Sequence, residues 1–215
     1  MSIAANLNAI KSKLPAAVEL IAVSKTKPNN LIEEAYAAGQ RHFGENKIQE
    51  MTTKWEALPK DIEWHMIGHV QTNKVKYMAP FVSLIHGVDR EKLLLEINKQ
   101  GQKHNRVIKC LLQVYIADET TKFGLLPEEV LPLLEKSLAL KNIRVVGLMG
   151  MASFTDNEEQ ITAEFKILKE LFHSAKAQFD QIKILSMGMS NDYELALAQE
   201  SNMIRVGSKI FGSRN

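Results

Sequence analysis

Short apolar runs alternate with longer amphipathic stretches along the chain of 215 residues. The runs are a few residues long and several are continuously apolar, which is typical of strands that are covered on both faces of a sheet. The pattern predicts eight strands, at residues 19–24, 41–44, 62–67, 82–86, 107–116, 143–149, 182–187 and 203–206.

The amphipathic stretches between these strands predict helices. In the longest of them, Ile161, Phe165 and Leu168 recur at helical spacing and should face a sheet. Pro132 lies beyond the first turn of its own stretch, so it should cost a hydrogen bond or kink that helix. The predicted helices cover residues 29–39, 46–57, 72–79, 90–104, 127–140, 158–179 and 192–200, and residues 1–13 form an additional leading helix.

A strand followed by a helix, repeated eight times without a long polar linker, predicts a parallel sheet with right-handed crossovers. Eight repeats favour a closed (β/α)8 barrel, the TIM barrel of the α/β class, with residues 1–215 as a single domain. The alternative is an open doubly wound sheet, but the strand count and the lack of an early Gly-x-Gly-x-x-Gly turn weigh against it.

Composition excludes several classes of protein. The chain is 45% hydrophobic and 24% charged, and its 27 basic and 25 acidic residues form no long block of one sign, so we expect no nucleic-acid partner. No stretch is long enough to cross a bilayer and the first residues do not resemble a secretory signal, so we expect a cytoplasmic protein with no membrane partner. Cys110 is the only cysteine, and we interpret it as a small buried hydrophobic residue.

Lys25 is the first candidate for chemistry, because it follows an apolar run directly and enters a turn. A lysine at the carboxyl end of a strand can have a partly desolvated amine, whose pKa falls and which can then attack a carbonyl carbon. The alternative is that Lys25 and Lys27 are two solvated turn lysines, since lysine is mostly exposed in proteins.

Barrels of this class bind phosphate at the loops after strands 7 and 8. After strand 7, Gly188 permits a close backbone approach, and Ser190 or Asn191 can cap a helix whose free amides attract an anion. After strand 8, Gly207 and Ser208 supply a second flexible turn and another hydroxyl. Since strand 1 neighbours strand 8 in a closed ring, the lysine and these loops predict a phosphorylated carbonyl ligand.

Ordered motifs extend this pattern over nearly the whole chain, at residues 22–28, 43–46 with 49–50, 64–74, 122–124, 147–149, 186–192, and 205–208 with 211–212. In these motifs the sequence resembles the pyridoxal 5′-phosphate (PLP) homeostasis proteins, a family that is similar to the barrel domain of alanine racemase. The resemblance implies a PLP cofactor and eight cofactor-binding residues: Lys25, Asn46, Met149, Met187, Ser190, Arg205, Gly207 and Ser208.

The resemblance also implies a role for each of these residues. Lys25 carries the cofactor as an internal aldimine, a Schiff base, and the predicted phosphate loops receive its phosphate. Arg205 faces the pyridine nitrogen, Asn46 lies near the ring, and the two methionines flank the pocket. Because an arginine cannot accept the pyridinium proton, the ring should stay neutral and act as a weak electron sink.

Two functions follow from the resemblance. The first is a non-catalytic carrier that masks the PLP aldehyde, buffers its level for vitamin B6 homeostasis or releases it to apoenzymes, and we expect such a carrier to be a monomer. The second is an amino-acid racemase. Racemases of this fold take a tyrosine base from a separate C-terminal domain, and the sequence ends at Asn215, so we expect the carrier. Four tyrosines are possible substitutes for that base: Tyr36, Tyr77, Tyr115 and Tyr193.

His65 and His69 are four residues apart, which is the spacing of two metal ligands on a helix. The strand pattern instead places them in a passage from strand to loop, so we expect no metal site there. We interpret His42 and His86, which also end strand-like runs, as satisfied rim or core histidines.

Glu45 and Glu50 allow two interpretations. They could form a paired acid and base. Alternatively, they are charges at the start of a helix that complement its dipole, which is the simpler explanation.

Overall fold

In the computed structural model, which describes residues 2–117 and 123–212, eight parallel strands form a closed barrel. Each strand pairs with the strands before and after it in the chain, and the last pairs with the first. The strands are β1 Glu19–Val23, β2 His42–Glu45, β3 Glu63–Met66, β4 Leu84–Val88, β5 Ile108–Gln113, β6 Ile143–Met149, β7 Ile184–Ser186 and β8 Met203–Val206. The predicted (β/α)8 barrel is confirmed and the open sheet is excluded.

Helices cover the outer face of this barrel. They are α1 Ile3–Lys11, α2 Asn29–Ala37, α3 Ile48–Ala57, α4 Val75–Met78 after a 3-10 turn at Thr72–Lys74, α5 Glu91–Lys103, α6 Pro127–Ser137, α7 Glu158–Gln178, α8 Tyr193–Ala198 and α9 Ser208–Phe211. Helix α6 continues through Pro132 and ends three residues before the predicted boundary at 140. The four-residue helix α9 was not predicted, since it is too short to show a period.

Strand β5 is shorter than the predicted run of 107–116. The Val114 N–H still donates to the Met149 carbonyl oxygen of β6 at 2.8 Å, but Val114 also forms an isolated bridge to Leu125. The chain then turns to this loop, where the Tyr115 N–H donates to the Leu125 carbonyl oxygen at 2.9 Å. The apolar character of residues 114–116 therefore reflects burial beside a loop, which a periodicity argument cannot separate from a strand.

Two apolar cores hold the fold together, one on each face of the sheet. The outer core lies between strands and helices and includes Phe165 and Leu168 of α7, as their spacing predicted. Cys110 is buried in the same layer, and burial raises the pKa of its thiol, which agrees with a packing role. The smaller inner core fills the barrel with Ile21, Leu84, Leu111, Val146, Met149 and Met203.

None of the helices among the described residues is both long and apolar enough to cross a membrane.

Candidate functional site

A cavity of about 940 Å³ opens at the carboxyl-terminal end of the strands. Loops that follow β1, β2, β3, β6, β7 and β8 contribute to its walls. Six of the eight predicted cofactor residues line it: Lys25, Asn46, Ser190, Arg205, Gly207 and Ser208. The fold therefore brings residues from distant parts of the chain to one site, at the end where such barrels carry their active groups.

The two predicted methionines lie elsewhere. Met149 belongs to the inner core and Met187 to the outer core, and both are fully buried. Side chains alternate between the two faces of a strand, so Ser186 points into the barrel and the next residue points outward toward the helices. The expected position of Met187 beside the cavity is thus corrected to the outer core, whereas Met149 packs inside the barrel and its contact with the cofactor stays a prediction.

The turn that carries Lys25 is fixed on both sides of the lysine, which is half-buried. The Ser24 hydroxyl donates to Glu45 Oε1 at 2.6 Å, and the Thr26 N–H donates to Glu50 Oε1 at 2.6 Å. Thr26 has a φ of +65°, in a region that a β-branched residue rarely adopts. The bond from its amide to the carboxylate holds this conformation and so orients the neighbouring lysine.

Lys54 joins the two glutamates beneath the turn. Its Nζ lies 2.8 Å from Glu45 Oε1 and 2.7 Å from Glu50 Oε1, and it also donates to the Ser24 carbonyl oxygen at 2.9 Å. Burial raises the pKa of Glu45, although the nearby Lys54 opposes this shift. Neither glutamate is among the described residues that line the cavity, which does not favour a paired acid and base. Glu50 lies in the first turn of α3, as the helix-start interpretation expects, whereas Glu45 lies in β2. Both glutamates also position the turn that carries Lys25.

Sequence reasoning missed Lys54. The available signal was the spacing of Glu50 and Lys54, which are four residues apart on α3 and form an ion pair there. The sequence gives no sign that this lysine is buried or that it reaches Glu45 on a neighbouring strand.

Ser190 and Gly207 join the two predicted phosphate loops. The Gly207 N–H donates to Ser190 Oγ at 3.2 Å, which leaves the serine proton available for donation. A Cβ at Gly207 would lie 3.1 Å from the Val23 carbonyl oxygen, so the loop after β8 passes close to β1. The hydroxyl of Ser208 adds a further possible donor at this wall of the cavity.

The expected helix cap at Ser190 or Asn191 is wrong. Helix α8 begins only at Tyr193, and the Asp192 carboxylate accepts from the Met189 N–H at 2.5 Å, which tightens the loop before the helix. Gly188 has a φ of +96° and packs against Tyr193 and Ala196, so this position does require a glycine.

Arg205 lies at the floor of the cavity and is only 4% exposed. Its Nη1 donates to the Ser186 carbonyl oxygen at 3.0 Å and to Ser186 Oγ at 2.7 Å, and its Nη2 donates to the Gly150 carbonyl oxygen at 3.1 Å. A guanidinium has five N–H donors, so the described contacts use three of them. Burial lowers the pKa of Arg205 to about 10, so the group remains charged at neutral pH.

A column of three histidines continues from Arg205 toward the other end of the barrel. His86 Nδ1 lies 3.3 Å from Ser186 Oγ, His86 Nε2 lies 3.0 Å from His65 Nδ1, and His65 Nε2 lies 3.4 Å from His42 Nδ1. Burial lowers the pKa of His65 to about 3 and lowers that of His86 well below its ordinary value, so both imidazoles are neutral at physiological pH.

His69 takes no part in this column. It lies in the loop after β3 and lines the cavity, with Nδ1 at 3.1 Å from Asp89 Oδ2 and its ring stacked on Phe123 at a centroid distance of 3.9 Å. The expected passage from strand to loop is therefore confirmed, and His65 and His69 make separate contacts. Lys122, which belongs to one of the sequence motifs, lies outside the described residues.

No tyrosine is among the described residues that line the cavity. Tyr36 donates to Asp61 at 2.8 Å, and the hydroxyl of Tyr193 donates to Glu194 at 3.0 Å. Tyr77 lies beside Lys74 and Lys76 on the outside of the barrel.

The fold and this cavity define a (β/α)8 barrel with a lysine, an arginine and two loops that carry serine and glycine at its carboxyl-terminal mouth. The family model described as "Alanine racemase, N-terminal domain" matches residues 1–215. The pyridoxal phosphate homeostasis protein of Aquifex aeolicus is 41% identical over 198 residues, which are 91% of this chain and 87% of that protein. The protein of the same name from Haemophilus influenzae is 38% identical and covers 100% of this chain and 97% of its own length.

Solved structures agree with these relatives. PipY of Synechococcus elongatus, in a structure with PLP bound, is 36% identical, with a TM-score of 0.90 over 98% of this chain and 100% of that chain. An alanine racemase of Clostridium difficile has the same fold at 15% identity, with a TM-score of 0.83, over 99% of this chain and 60% of the racemase. The chain belongs to the alanine racemase N-terminal domain family, and within it to the pyridoxal phosphate homeostasis proteins.

Proposed function

We propose that this protein binds PLP through Lys25 and maintains its supply in the cell, without a dedicated catalytic turnover. The observation that carries the proposal is the meeting of Lys25, Arg205 and the Ser190–Gly207 pair on one cavity. The name of the relatives, and the PLP bound by PipY, support the identity of the ligand.

The donor set fits the parts of PLP. The amine of Lys25 joins the aldehyde carbon as a C=N bond, and water is released. The hydroxyls of Ser190 and Ser208 donate to the phosphate, and the N–H groups of Arg205 that the described contacts do not use donate toward the ring nitrogen. When bound, the cofactor supplies a reactive aldehyde and an electron sink, and the cavity keeps that aldehyde attached to the lysine.

The decisive test removes the amine. We expect Lys25→Ala to abolish the visible absorption of a borohydride-reducible C=N bond while the far-UV circular dichroism stays unchanged, because a lysine at the rim contributes little to packing. Lys27→Ala is the matched control from the same turn, since the Lys27 amine donates to the carbonyl oxygens of Phe211 and Gly212 at 3.2 and 3.1 Å. After reduction, peptide mapping should find the label on Lys25. A label on another lysine, or a reducible bond in Lys25→Ala, would contradict the proposal.

Catalysis is the second part of the proposal. Inversion at an amino acid needs a proton delivered to the face opposite the lysine, and a positioned acid or base contributes about 10²–10⁴-fold to such a step. No tyrosine among the described residues lines the cavity to supply it, and the alternative base is His69, which lines the cavity and is paired with Asp89 Oδ2 at 3.1 Å. We expect PLP-loaded protein to racemise or decarboxylate no common amino acid at a useful rate, as measured by chiral chromatography. Sustained turnover of alanine or serine that is lost in Lys25→Ala would favour the racemase instead.

Delivery to apoenzymes is the third part. Asn46 and Ser208 are exposed at the mouth of the cavity and Lys25 is half-buried, so an incoming amine can reach the C=N bond and exchange with the lysine. We expect loaded protein to reactivate a PLP-free aminotransferase at a rate that depends on the concentration of loaded protein. A rate equal to that of spontaneous PLP release into buffer would exclude direct transfer.

A further inference from the structure

At the amino-terminal mouth of the barrel, opposite the PLP cavity, three side chains bring metal-ligating atoms together. His42 Nδ1 lies 2.8 Å from Glu19 Oε1 and 3.4 Å from His65 Nε2. All three ligand atoms lie within 4.8 Å of one another. None of the three residues lines the cavity that contains Lys25.

The topology of the sheet explains the cluster. Glu19, His42 and His65 belong to β1, β2 and β3, which are neighbours in the barrel. Glu19 and His42 are the first residues of their strands, and His65 lies one layer deeper. Their side chains converge because inward-facing residues of adjacent strands lie side by side.

We propose that Glu19, His42 and His65 bind a divalent transition-metal ion of the zinc class. Two imidazoles and one carboxylate form a donor set that zinc and its neighbours prefer, whereas calcium and magnesium require mainly oxygen ligands. Two nitrogens at the usual zinc–nitrogen distance around a tetrahedral ion are about 3.4 Å apart. The observed nitrogen separation of 3.4 Å already matches that spacing.

The surroundings of His65 support the site from inside the barrel. A metal-binding histidine usually donates its second ring N–H to a fixed acceptor, which sets the tautomer. His65 Nδ1 lies 3.0 Å from His86 Nε2, and His86 continues to Ser186. With the proton on Nδ1, the lone pair of His65 Nε2 points toward His42 and Glu19, where an ion would lie.

The mouth also gives an ion access and a further ligand. A cavity of about 380 Å³ that Glu19 and His42 help to line opens to solvent here. Glu63 Oε2 lies 3.7 Å from His42 Nδ1, so Glu63 or a water molecule can complete the coordination.

Positive charges around the mouth select the type of ion. Lys11 and Arg41 also line this cavity, and Lys109 faces both Glu19 and His65. Arg41 is itself paired with Asp61 at 3.1 Å. These side chains repel a bound cation and weaken any affinity that rests on charge alone. The affinity for the ion therefore has to come from coordinate bonds to nitrogen.

The test uses tag-free protein freed of metal by a chelator. Co²⁺ is titrated first, because a four-coordinate Co²⁺ ion gives visible absorption bands, and Zn²⁺ is then added in competition. We expect one ion per chain, and we expect His42→Ala and Glu19→Gln each to weaken binding at least tenfold. His173→Ala is the matched control, because it removes the histidine of an exposed pair with Glu200, with Nε2 and Oε2 2.9 Å apart, and it should leave binding unchanged.

A second readout guards against a variant that binds poorly because it is misfolded. Zn²⁺ should raise the thermal midpoint of the unaltered protein and of His173→Ala, but not that of His42→Ala or Glu19→Gln. Both altered side chains are partly exposed, so the metal-free variants should unfold cooperatively like the parent. Absence of saturable Co²⁺ binding, or an affinity that is unchanged in both His42→Ala and Glu19→Gln, would overturn the proposal.

Discussion

The two ends of the barrel use polar residues in different ways. At the carboxyl-terminal end, the polar side chains lie mostly on loops around a cavity of about 940 Å³, and Arg205 keeps N–H groups that the described contacts do not use. At the amino-terminal end, Glu19, His42 and His65 lie on the strands themselves and contact one another beside a cavity of about 380 Å³. Loops can shape a site for a large organic ligand, whereas strand positions are fixed by the pleat and suit a compact cluster.

Between these ends the barrel is largely apolar. The inner core separates the two mouths, and the column of His42, His65 and His86 crosses it to reach Ser186. A buried polar group is tolerated only when it is hydrogen-bonded, so each histidine depends on the next one along the column. The strands of the barrel therefore provide rigidity, and the loops provide the binding capacity.

The largest expected effect is on the free energy of unfolding, and it separates the strands from the loops by a comparison of two glycines. A Cβ at Gly147 of β6 would overlap the carbonyl oxygen of Ile184 on the neighbouring strand, whereas a Cβ at Gly207 would lie 3.1 Å from the nearest atom. We expect Gly147→Ala to lower the free energy of unfolding by about 3 kcal/mol and Gly207→Ala by about 1 kcal/mol or less, as measured by urea denaturation. Equal losses of stability would mean that the loop after β8 is as tightly constrained as strand β6.

The next effect concerns the phosphate loops. Ser190→Ala combined with Ser208→Ala should weaken PLP binding by well over tenfold, because each hydrogen bond to a charged group is worth roughly 1.5–3 kcal/mol. Binding of unphosphorylated pyridoxal should change little, since the bond to Lys25 is untouched. Equilibrium titration of both ligands by visible absorption measures the difference. Equal losses for PLP and pyridoxal would contradict the assignment of the phosphate to these loops.

The single variants refine the same prediction. In the structure Ser190 Oγ accepts the N–H of Gly207, so Ser190→Ala also releases that amide to donate to a phosphate oxygen. We therefore expect Ser190→Ala to cost less affinity for PLP than Ser208→Ala, whose loss has no such replacement.

The barrel can be predicted from the sequence because the periodicity that indicates it is local and repeated. Eight strand-and-helix units can each be recognised from periodicity, and the rule for barrels then assigns the loops after β1, β7 and β8 to one rim. That is why Lys25, Ser190 and Gly207 could be predicted to meet, and they do line one cavity.

Other features depend on register between strands, which no single segment reveals. The column of His42, His65 and His86 arises from inward positions on three adjacent strands, although each histidine taken alone resembles an ordinary core residue. Lys54 of α3 likewise contacts Glu45 of β2, a residue outside its own helix. The position of Met187 beside the cavity followed from the resemblance alone, and its outward direction depends on the register of β7, which the sequence does not reveal.

The smallest expected effect is the pH dependence of stability, which distinguishes the interior of the column from its mouth. Burial lowers the pKa of His65 to about 3 and that of His86 well below its usual range. The unfolded chain then binds more protons than the folded chain, so the stability from these neutral imidazoles is fully present above about pH 6.5 and falls as the pH drops. Each such group contributes a slope of at most about 1.4 kcal/mol per pH unit.

At the mouth the sign is reversed. The hydrogen bond to Glu19 raises the pKa of His42, with Glu63 adding to this effect and burial and Lys11 opposing it, so its contribution is present at low pH and is lost as the pH rises through that pKa. In urea denaturation with a chelator present, His86→Gln should therefore reduce the loss of stability as the pH falls below about 6.5, whereas His42→Gln should reduce the loss of stability as the pH rises above about 6.5. Changes confined to the same pH range in both variants would show that the two ends of the column titrate as one group, and the contrast between interior and mouth would fail.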